Sequence, residues 1–175
     1  MRDLPALLLF CFLCAGFATC ATQQLGNYGK ATTSSVPKGM RAELQLRNDI
    51  VATAREYLGT KYKYACRDPK RGFDCSNFTS YVLEQHGISV SAGSGNQATQ
   101  GQRISQEEAT TGDLVVFRRQ RGGKVFHVAL VVENSQDELR VIHSTSSRGV
   151  VEDEILGNSW WAPKFREFRN VVSEL

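Results

Sequence analysis

Apolar residues recur at helical spacing in the segment that follows residue 40. They are Leu44, Leu46, Ile50, Val51, Ala54, Tyr57 and Leu58, and Gly59 comes directly after them. Spacings of three and four residues place such side chains on one helix face, and glycine often ends a helix. The pattern predicts an amphipathic helix that packs against the domain and ends near Gly59.

A second helix is predicted between Asp74 and Gly87. Its apolar stripe consists of Phe78, Tyr81, Val82 and Leu83. Asp74 is a favourable N-cap residue and Gly87 a favourable terminator. Cys75 is therefore expected in the first turn of this helix.

From residue 114 onward the pattern changes to the alternation and short apolar runs of β-strands. The predicted strands cover residues 114–117, 125–132, 139–143 and about 165–172. Glycine and polar residues at 122–123 and 133–137 predict turns between them. Helices followed by closely connected strands predict an α+β domain with an antiparallel sheet.

Two histidines lie in neighbouring predicted strands. Alternation places His127 on one face with Ala129 and Val131, and the opposite face is also apolar, so both faces are expected to be buried. A hairpin centred on Ser135 would set His127 directly opposite His143, with Cβ atoms roughly 5 Å apart. A register slip of one residue would separate them.

The first twenty residues have the pattern of an export signal. Arg2 precedes an apolar stretch, residues 4–17, that is too short to span a bilayer. Cys20 follows and resembles the lipidated cysteine of bacterial lipoproteins, although Phe17 and Thr19 stand where that motif usually has Leu and a small residue. We expect an exported protein, periplasmic or anchored to the membrane through Cys20. Cleavage near Ala18 or Ala21 without lipidation is the alternative.

The remaining chain divides into a linker and one domain. Residues 21–39 are polar and rich in Gly, Ser and Thr, which predicts a flexible linker before a domain at residues 40–175. A hydrophobic content of 41% and a charged content of 22% are typical of a soluble globular protein. The net charge of +3 is small and no Lys/Arg-rich run with interleaved aromatics is present, so nucleic-acid binding is not expected. We expect a monomer.

The chemistry predicted for Cys75 comes from its position. A helix N-terminus carries a positive dipole end and unpaired N–H groups, which favour a thiolate and can bind an oxyanion. Together with His127 as general base and His143 as its orienting partner, this predicts a cysteine nucleophile that needs no metal or cofactor. The alternatives are buried structural residues, or a zinc site built from Cys66, Cys75, His127 and His143. The spacing of the two cysteines does not match that of typical structural zinc sites.

Five short motifs, in order, resemble the NlpC-type cell-wall cysteine peptidases. They are residues 59–66, 72–78, 112–117, 127–131 and 142–144, and the resemblance extends from about Asp49 to Val172. It implies a reduced papain-like α+β fold, in which a helix bearing the cysteine packs on an antiparallel sheet bearing the histidine pair. It also implies hydrolysis of the γ-D-glutamyl to diamino-acid bond in peptidoglycan stem peptides.

The resemblance further implies that Tyr62 lies beside the nucleophile and that Asp74 and Ser76 bind the free amino end of the substrate. The sequence departs from the family where Ala65-Cys66 replaces two glycines, and where Asn77 and Ala129 each replace one. We expect Cys66 to be an inert core residue, or else a redox partner of Cys75. Three other functions stay open: an amidase or acyltransferase with the same chemistry, an inactive wall-binding module, and a structural lipoprotein.

Overall fold

The structure is a computed structural model that describes residues 36–173. Its elements are α1 (Lys38–Arg55), β1 (Arg67–Asp68), β2 (Gly72–Phe73), α2 (Cys75–Glu84), α3 (Ser94–Gln97), β3 (Gln102–Ile104), β4 (Leu114–Arg118), β5 (Val125–Asn134), β6 (Leu139–Thr145), β7 (Gly149–Glu154) and β8 (Phe165–Asn170). The predicted export segment with Cys20, and residues 21–35 of the predicted linker, lie outside this range. Between residues 36 and 173, no helix is long and apolar enough to cross a membrane.

The main sheet has six strands in the order β3-β8-β4-β5-β6-β7, and every neighbouring pair is antiparallel. The short strands β1 and β2 form a separate antiparallel pair just before α2. Helices packed on an antiparallel sheet confirm the predicted α+β class.

The predicted helices are present with shifted ends. Helix α1 begins at Lys38, inside the predicted linker, and ends at Arg55 rather than at Gly59. A turn follows, and Gly59, at φ +80°, donates its N–H to Val150 O at 2.9 Å. The helix thus ends before Gly59, and Gly59 instead hydrogen-bonds to β7. Helix α2 is capped as predicted, since the Asp74 carboxylate accepts the Asn77 N–H at 2.8 Å.

The register of the β5–β6 hairpin differs from the prediction. Leu130 pairs with Ile142 and Val131 with Val141. The turn lies later in the chain than Ser135, because the Ser135 N–H bonds to Glu138 O at 2.8 Å. Extended along the strands, this register sets His127 opposite residue 145, so the predicted direct pairing of His127 with His143 is wrong. The offset is two residues, an even number, and therefore both histidines keep the same face.

Both faces of the sheet are buried, as the apolar runs predict. One face packs against the helices through a cluster that includes Leu114, Leu130 and Ile142 with Ile50 and Phe78. The other face is covered by the segment between β7 and β8, in a cluster that includes Phe117, Ala129, Val131, Val141, Ile155 and Trp161. The histidine pair therefore lies in a covered layer, in which His143 is fully buried and His127 nearly so.

Arg47 fastens α1 to the sheet. Its side chain is buried, and Nη1 lies 2.8 Å from Asp113 Oδ1, at the residue that precedes β4. Nη2 donates to Asn170 Oδ1 at 3.2 Å, at the end of β8, and Nε bonds to Glu43 within the helix. One guanidinium thus connects α1 with two strands.

Gly149 allows the loop after α1 to lie against the start of β7. Its φ is +69°, and a Cβ there would lie 2.1 Å from Thr60 O. Val150 also donates its N–H to Thr60 O at 2.9 Å. This contact fixes the loop that carries Tyr62 beside the β6–β7 turn.

Candidate active site

Cys75 begins α2 and lies against β5. Its thiol is 9% exposed and packs with Ala98, Val116 and Val128. Burial raises the pKa of the Cys75 thiol to about 11, and hydrogen bonding from the Val128 backbone offsets only part of that rise. Burial of the thiol thus opposes the thiolate that the helix start is expected to favour, and that expectation stays a prediction.

His127 and His143 are in direct contact. His127 Nε2 lies 3.0 Å from His143 Nδ1. His143 Nε2 in turn lies 2.9 Å from Asp153 Oδ2, on β7, and Arg148 also bonds to that carboxylate. The line of hydrogen bonds from Arg148 therefore ends at His127, which is the sequence neighbour of Val128, and the Val128 backbone hydrogen-bonds to Cys75.

Both imidazoles are held neutral by their surroundings. Burial, and then the neighbouring His143, lower the pKa of His127 well below its ordinary value. Burial also lowers the pKa of His143, and the Asp153 carboxylate opposes that shift only in part. A neutral imidazole has a free lone pair, which a general base needs, while the lowered pKa makes its protonation less favourable.

Trp161 covers the histidine pair. Its ring centroid lies 4.9 Å from that of His127 and 5.1 Å from that of His143. The Phe126 ring stacks on Trp161 at 6.3 Å with an interplanar angle of 2°. These aromatic rings cover the imidazoles on the cleft side, so that His127 reaches the cleft only at an edge and His143 is fully buried.

The cleft beside His127 has a volume of about 490 Å³. It is lined by Tyr62, Phe126, His127, Thr145, Ser146, Ser147, Arg148, Asn158, Trp160 and Trp161. The volume suits a small peptide, and the lining mixes aromatic surface with hydroxyl, amide and guanidinium groups that can hold polar substrate atoms.

The sequence agrees with this arrangement. The NlpC/P60 family model matches residues 59–170, which include Tyr62, Cys75, His127, His143 and Asp153. The chain belongs to the NlpC/P60 family.

Relatives with assigned names cover the same region. The chain is 34% identical over 106 residues to the gamma-D-glutamyl-L-lysine dipeptidyl-peptidase of Bacillus cereus, covering 60% of this chain and 30% of that protein. It is 28% identical over 131 residues to the murein DD-endopeptidase MepS/murein LD-carboxypeptidase of Escherichia coli, covering 74% and 65%. Other curated relatives match at 37–38% identity, and the chain spans about a fifth of their length.

A solved structure shows the same fold. An NlpC/P60 family protein from Bacillus cereus superposes with a TM-score of 0.64 at 30% identity, covering 72% of this chain and 40% of that chain. The reduced papain-like architecture implied by the sequence motifs is therefore the architecture of this NlpC/P60 domain.

Tyr62 lies on the cleft wall and near the cysteine. It bridges to Phe73, two residues before Cys75, and it also lines the cleft beside His127. Burial raises the pKa of Tyr62, and the neighbouring Cys75 and Asp74 raise it further, because a negative charge on either one opposes ionisation of the phenol. The hydroxyl therefore stays protonated and can donate a hydrogen bond.

Asp74 and Ser76 are engaged with the chain itself. The Asp74 carboxylate accepts hydrogen bonds from Ser76 Oγ, from the backbone and side chain of Asn77, and from the Ala65 N–H, at distances of 2.8–3.0 Å. Asn77 stands where the family usually has glycine, and its side chain donates one of the hydrogen bonds that the Asp74 carboxylate accepts. The predicted binding of a substrate amino group by Asp74 and Ser76 stays a prediction.

Cys66 and His86 lie outside the candidate site, and their contacts are with neighbouring parts of the fold. Cys66 is a free, buried thiol, and its carbonyl accepts the Asp74 N–H. His86 Nε2 lies 2.9 Å from Thr53 Oγ1. Among residues 36–173, no group of three or more His, Cys, Asp or Glu side chains is placed to hold a metal ion, so Cys66, Cys75, His127 and His143 form no zinc cluster there.

Sequence patterns missed Asp153, Arg148 and Trp161. Asp153 lies on β7, where two valines precede Glu-Asp-Glu, and this acidic run masks the strand. Once β7 is known, its register identifies Asp153: His143 pairs with Val151 and Val141 with Asp153, so Asp153 and His143 share a face. Trp161 has no such signal, because it reaches the histidines from an irregular segment.

Proposed function

We propose that this domain is a peptidoglycan hydrolase, a cysteine endopeptidase with Cys75 as nucleophile, His127 as general base and His143 as the residue that orients His127. The observation that carries the proposal is the placement of a neutral, paired histidine on β5, next to the residue whose backbone faces the thiol. Names of relatives in the family add support, since they are peptidases of wall peptides.

The reaction begins from a neutral Cys75 thiol and a neutral His127 imidazole. Since His143 occupies Nε2 of His127, Nδ1 is the nitrogen left to receive the Cys75 proton. As that proton moves, sulfur bonds to the scissile carbonyl carbon and the carbonyl electrons move to oxygen, where backbone N–H groups at the start of α2 can stabilise them. The raised pKa of the resting thiol favours a proton transfer that accompanies attack over one that precedes it.

The second half of the reaction returns the proton. Protonated His127 gives its proton to the leaving amine as the carbon–nitrogen bond breaks, which leaves an acyl group on Cys75. His127 then takes a proton from water as the oxygen adds to the thioester carbon, and the carbon–sulfur bond breaks as His127 returns that proton to sulfur, which frees the acid product and the thiol.

For the bond, we propose the γ-D-glutamyl to diamino-acid linkage of the stem peptide, which the name of the Bacillus cereus relative supports. A second candidate is the DD cross-link, favoured by the Escherichia coli relative, of which this chain covers 65%. An amidase or acyltransferase would use the same chemistry on another carbonyl.

The test is digestion of purified peptidoglycan followed by mass spectrometry of the released fragments. Cleavage at the proposed bond gives fragments that begin with a free diamino acid and others that end in γ-D-glutamate. Separated cross-links with intact stems would identify the DD-endopeptidase, and glycan stripped of whole stems would identify an amidase. If wild-type protein releases nothing beyond a Cys75→Ala control, the hydrolase proposal is wrong.

We further propose that Cys20 is lipidated and anchors the protein to the membrane of the cell envelope. A diacylated cysteine binds a bilayer through two chains, whereas one chain or none binds poorly. Cys20→Ala should therefore move the protein from the membrane fraction to the soluble fraction. Wild-type protein found entirely in the soluble fraction would indicate simple secretion instead.

A further inference from the structure

Two hydrogen bonds link Asp153 to His143 and His143 to His127. Asp153 determines which atom donates in each of them. The Asp153 carboxylate accepts from Arg148, with Nη1 3.0 Å from Oδ1 and Nη2 bonded to Oδ2. Burial opposes ionisation of Asp153, but the hydrogen bonds from His143 and Arg148 outweigh it and hold the pKa of Asp153 well below its ordinary value, so the carboxylate is ionised and only accepts hydrogen bonds. His143 Nε2, at 2.9 Å from Oδ2, must therefore carry the hydrogen.

This first assignment determines the second. A neutral imidazole has one N–H and one lone pair, so a hydrogen on His143 Nε2 leaves the lone pair on His143 Nδ1. That lone pair faces His127 Nε2 at 3.0 Å, and His127 must donate there. The lone pair of His127 is then on Nδ1, the nitrogen that takes no part in the histidine contact.

We propose that Asp153 is a positioning residue that sets the protonation pattern of both histidines and so leaves His127 Nδ1 as the proton acceptor for Cys75. The inference rests on the proposed roles of Cys75 and His127 and deepens them. Asp153 contacts no substrate; it acts through His143, as the buried carboxylate of a serine peptidase acts directly on its histidine.

Burial makes this control necessary. His143 is fully buried and His127 nearly so, and within residues 36–173 the side-chain hydrogen bonds of these two rings are with each other and with Asp153. Without the carboxylate, both tautomers of His143 would be similar in energy. The reversed tautomer would put a hydrogen on Nδ1 of His143, turn the bond to His127 around and leave a hydrogen on His127 Nδ1, where it cannot accept one from the thiol.

The same chain stabilises the charged intermediate. When His127 has taken the proton, its positive charge is held by the His143 lone pair, and His143 is held by the negative Asp153. Arg148, half exposed, keeps Asp153 in place without itself contacting a histidine ring. The permanently charged groups, Arg148 and Asp153, thus lie at the more exposed end of this line of hydrogen bonds, and the neutral His143 and His127 lie at the buried end.

The direct test needs no substitution. Nitrogen-15 NMR of the wild-type protein, with labelled histidine and at neutral pH, reports which ring nitrogen carries hydrogen. We expect Nε2–H on both His127 and His143. A hydrogen on Nδ1 of either ring would overturn the proposal, whatever the outcome for peptidoglycan cleavage.

A variant comparison tests the consequence. Asp153→Ala should lower kcat by on the order of tenfold to a thousandfold with little change in KM, and should mix the tautomers of His143. Glu152→Gln is the control, because it also removes a β7 carboxylate and its ion pair with Arg55, whereas Glu152 bonds to no histidine. The kcat and the histidine spectrum of this variant should match those of the wild type. A purely structural Asp153 would lower only the Tm of the Ala variant, leaving kcat and tautomers unchanged, and that result would refute the positioning role.

Failure of the proposed function gives a different pattern. If Cys75→Ala still cleaves peptidoglycan, the thiol mechanism is wrong even where the tautomers are as expected. If Cys75→Ala is inactive but Asp153→Ala keeps full activity, the mechanism stands and only the role of Asp153 is wrong.

Discussion

His127 and His143 touch through their ring nitrogens although they are not cross-strand partners. The register of β5 and β6 sets residue 129, an alanine, opposite His143, and His127 lies one step further along the same face. Diagonal neighbours in a sheet are within reach of aromatic side chains, and the methyl group of Ala129 leaves room for the two rings. The pair is therefore held by the sheet itself rather than by a flexible loop.

Substitution of His143 should reduce activity according to what the new side chain can accept. His143→Asn and His143→Gln keep an amide oxygen for the His127 N–H and should retain a substantial part of the rate. His143→Ala should lose on the order of tenfold to a thousandfold, because one catalytic hydrogen bond is worth a few kcal/mol at most. His127→Asn should be as damaging as loss of the nucleophile. Rates of muropeptide cleavage at matched folding decide this, and full activity in His143→Ala would return His143 to a core role.

Cys75→Ala should abolish hydrolysis without unfolding the domain. The side chain is small and sits in the first turn of α2, so its removal costs little packing, while no other group can form the acyl intermediate. Circular dichroism and thermal unfolding check the fold, and fragment release from peptidoglycan checks the activity. Cys66→Ala, which removes the other buried thiol, is the control and should remain active.

Alkylation of Cys75 should be slow at neutral pH and should increase steeply on the alkaline side. The folded pKa of about 11 exceeds the ordinary thiol value of 9.0, so little thiolate exists near pH 7. The same shift has a stability consequence: the contribution of this thiol is fully present below pH 9 and declines as pH rises toward 11, because the unfolded chain loses its proton first. Iodoacetamide rates measured across this range test the first statement, and urea unfolding at the same pH values tests the second. A rate that is already maximal at pH 7 would indicate a preformed thiolate.

Removal of Arg47 should destabilise the domain far more than removal of another arginine on the same helix. Arg47→Ala leaves the buried Asp113 without its cation and should lower the free energy of unfolding by about 3–5 kcal/mol. Arg55→Ala breaks the half-exposed pair with Glu152 and should cost roughly 1 kcal/mol or less. Urea unfolding of both variants gives the comparison. Equal losses would show that the Arg47 network contributes no more than a surface ion pair.

Ala65→Gly should stabilise the protein. Ala65 has φ +52°, in the left-handed region, where a Cβ is unfavourable. After the extra entropy of glycine in the unfolded chain is subtracted, a gain of about 0.5–1 kcal/mol is expected. Ala129→Gly is the opposite case, because Ala129 is fully buried in β5 and its removal should be destabilising by about 1 kcal/mol. Unfolding midpoints that move in the same direction for both variants would contradict this explanation.

The predictable parts of the fold are those encoded locally. The Asp74 cap and apolar stripe predict α2, and runs of Val, Leu and Ile predict β4, β5 and β6. Strands β3 and β7 escape prediction because β3 is a short, polar edge strand and β7 ends in three acidic residues. The cysteine and the two histidines are identified by motif, since their chemistry restricts the residue type.

What could not be predicted depends on contacts between distant segments. The hairpin register depends on a turn displaced beyond Ser135 and on an irregularity between Val131 and Glu133. The raised pKa of Cys75 depends on how closely β5 covers α2, which no pattern within either element reveals. Asp153 joins the site only because β7 pairs with β6.

The close contact of Gly149 with Thr60 bears on where a label or tag can be added to this domain. No side chain can be added at Gly149, since even one methyl group there meets the Thr60 carbonyl. The β4–β5 connection is the open alternative, because residues 119–122 are exposed and a Cβ at Gly122 meets nothing within 4 Å. A fluorophore or affinity tag inserted between Arg121 and Gly122 would allow the protein to be followed in the envelope with its cleft intact.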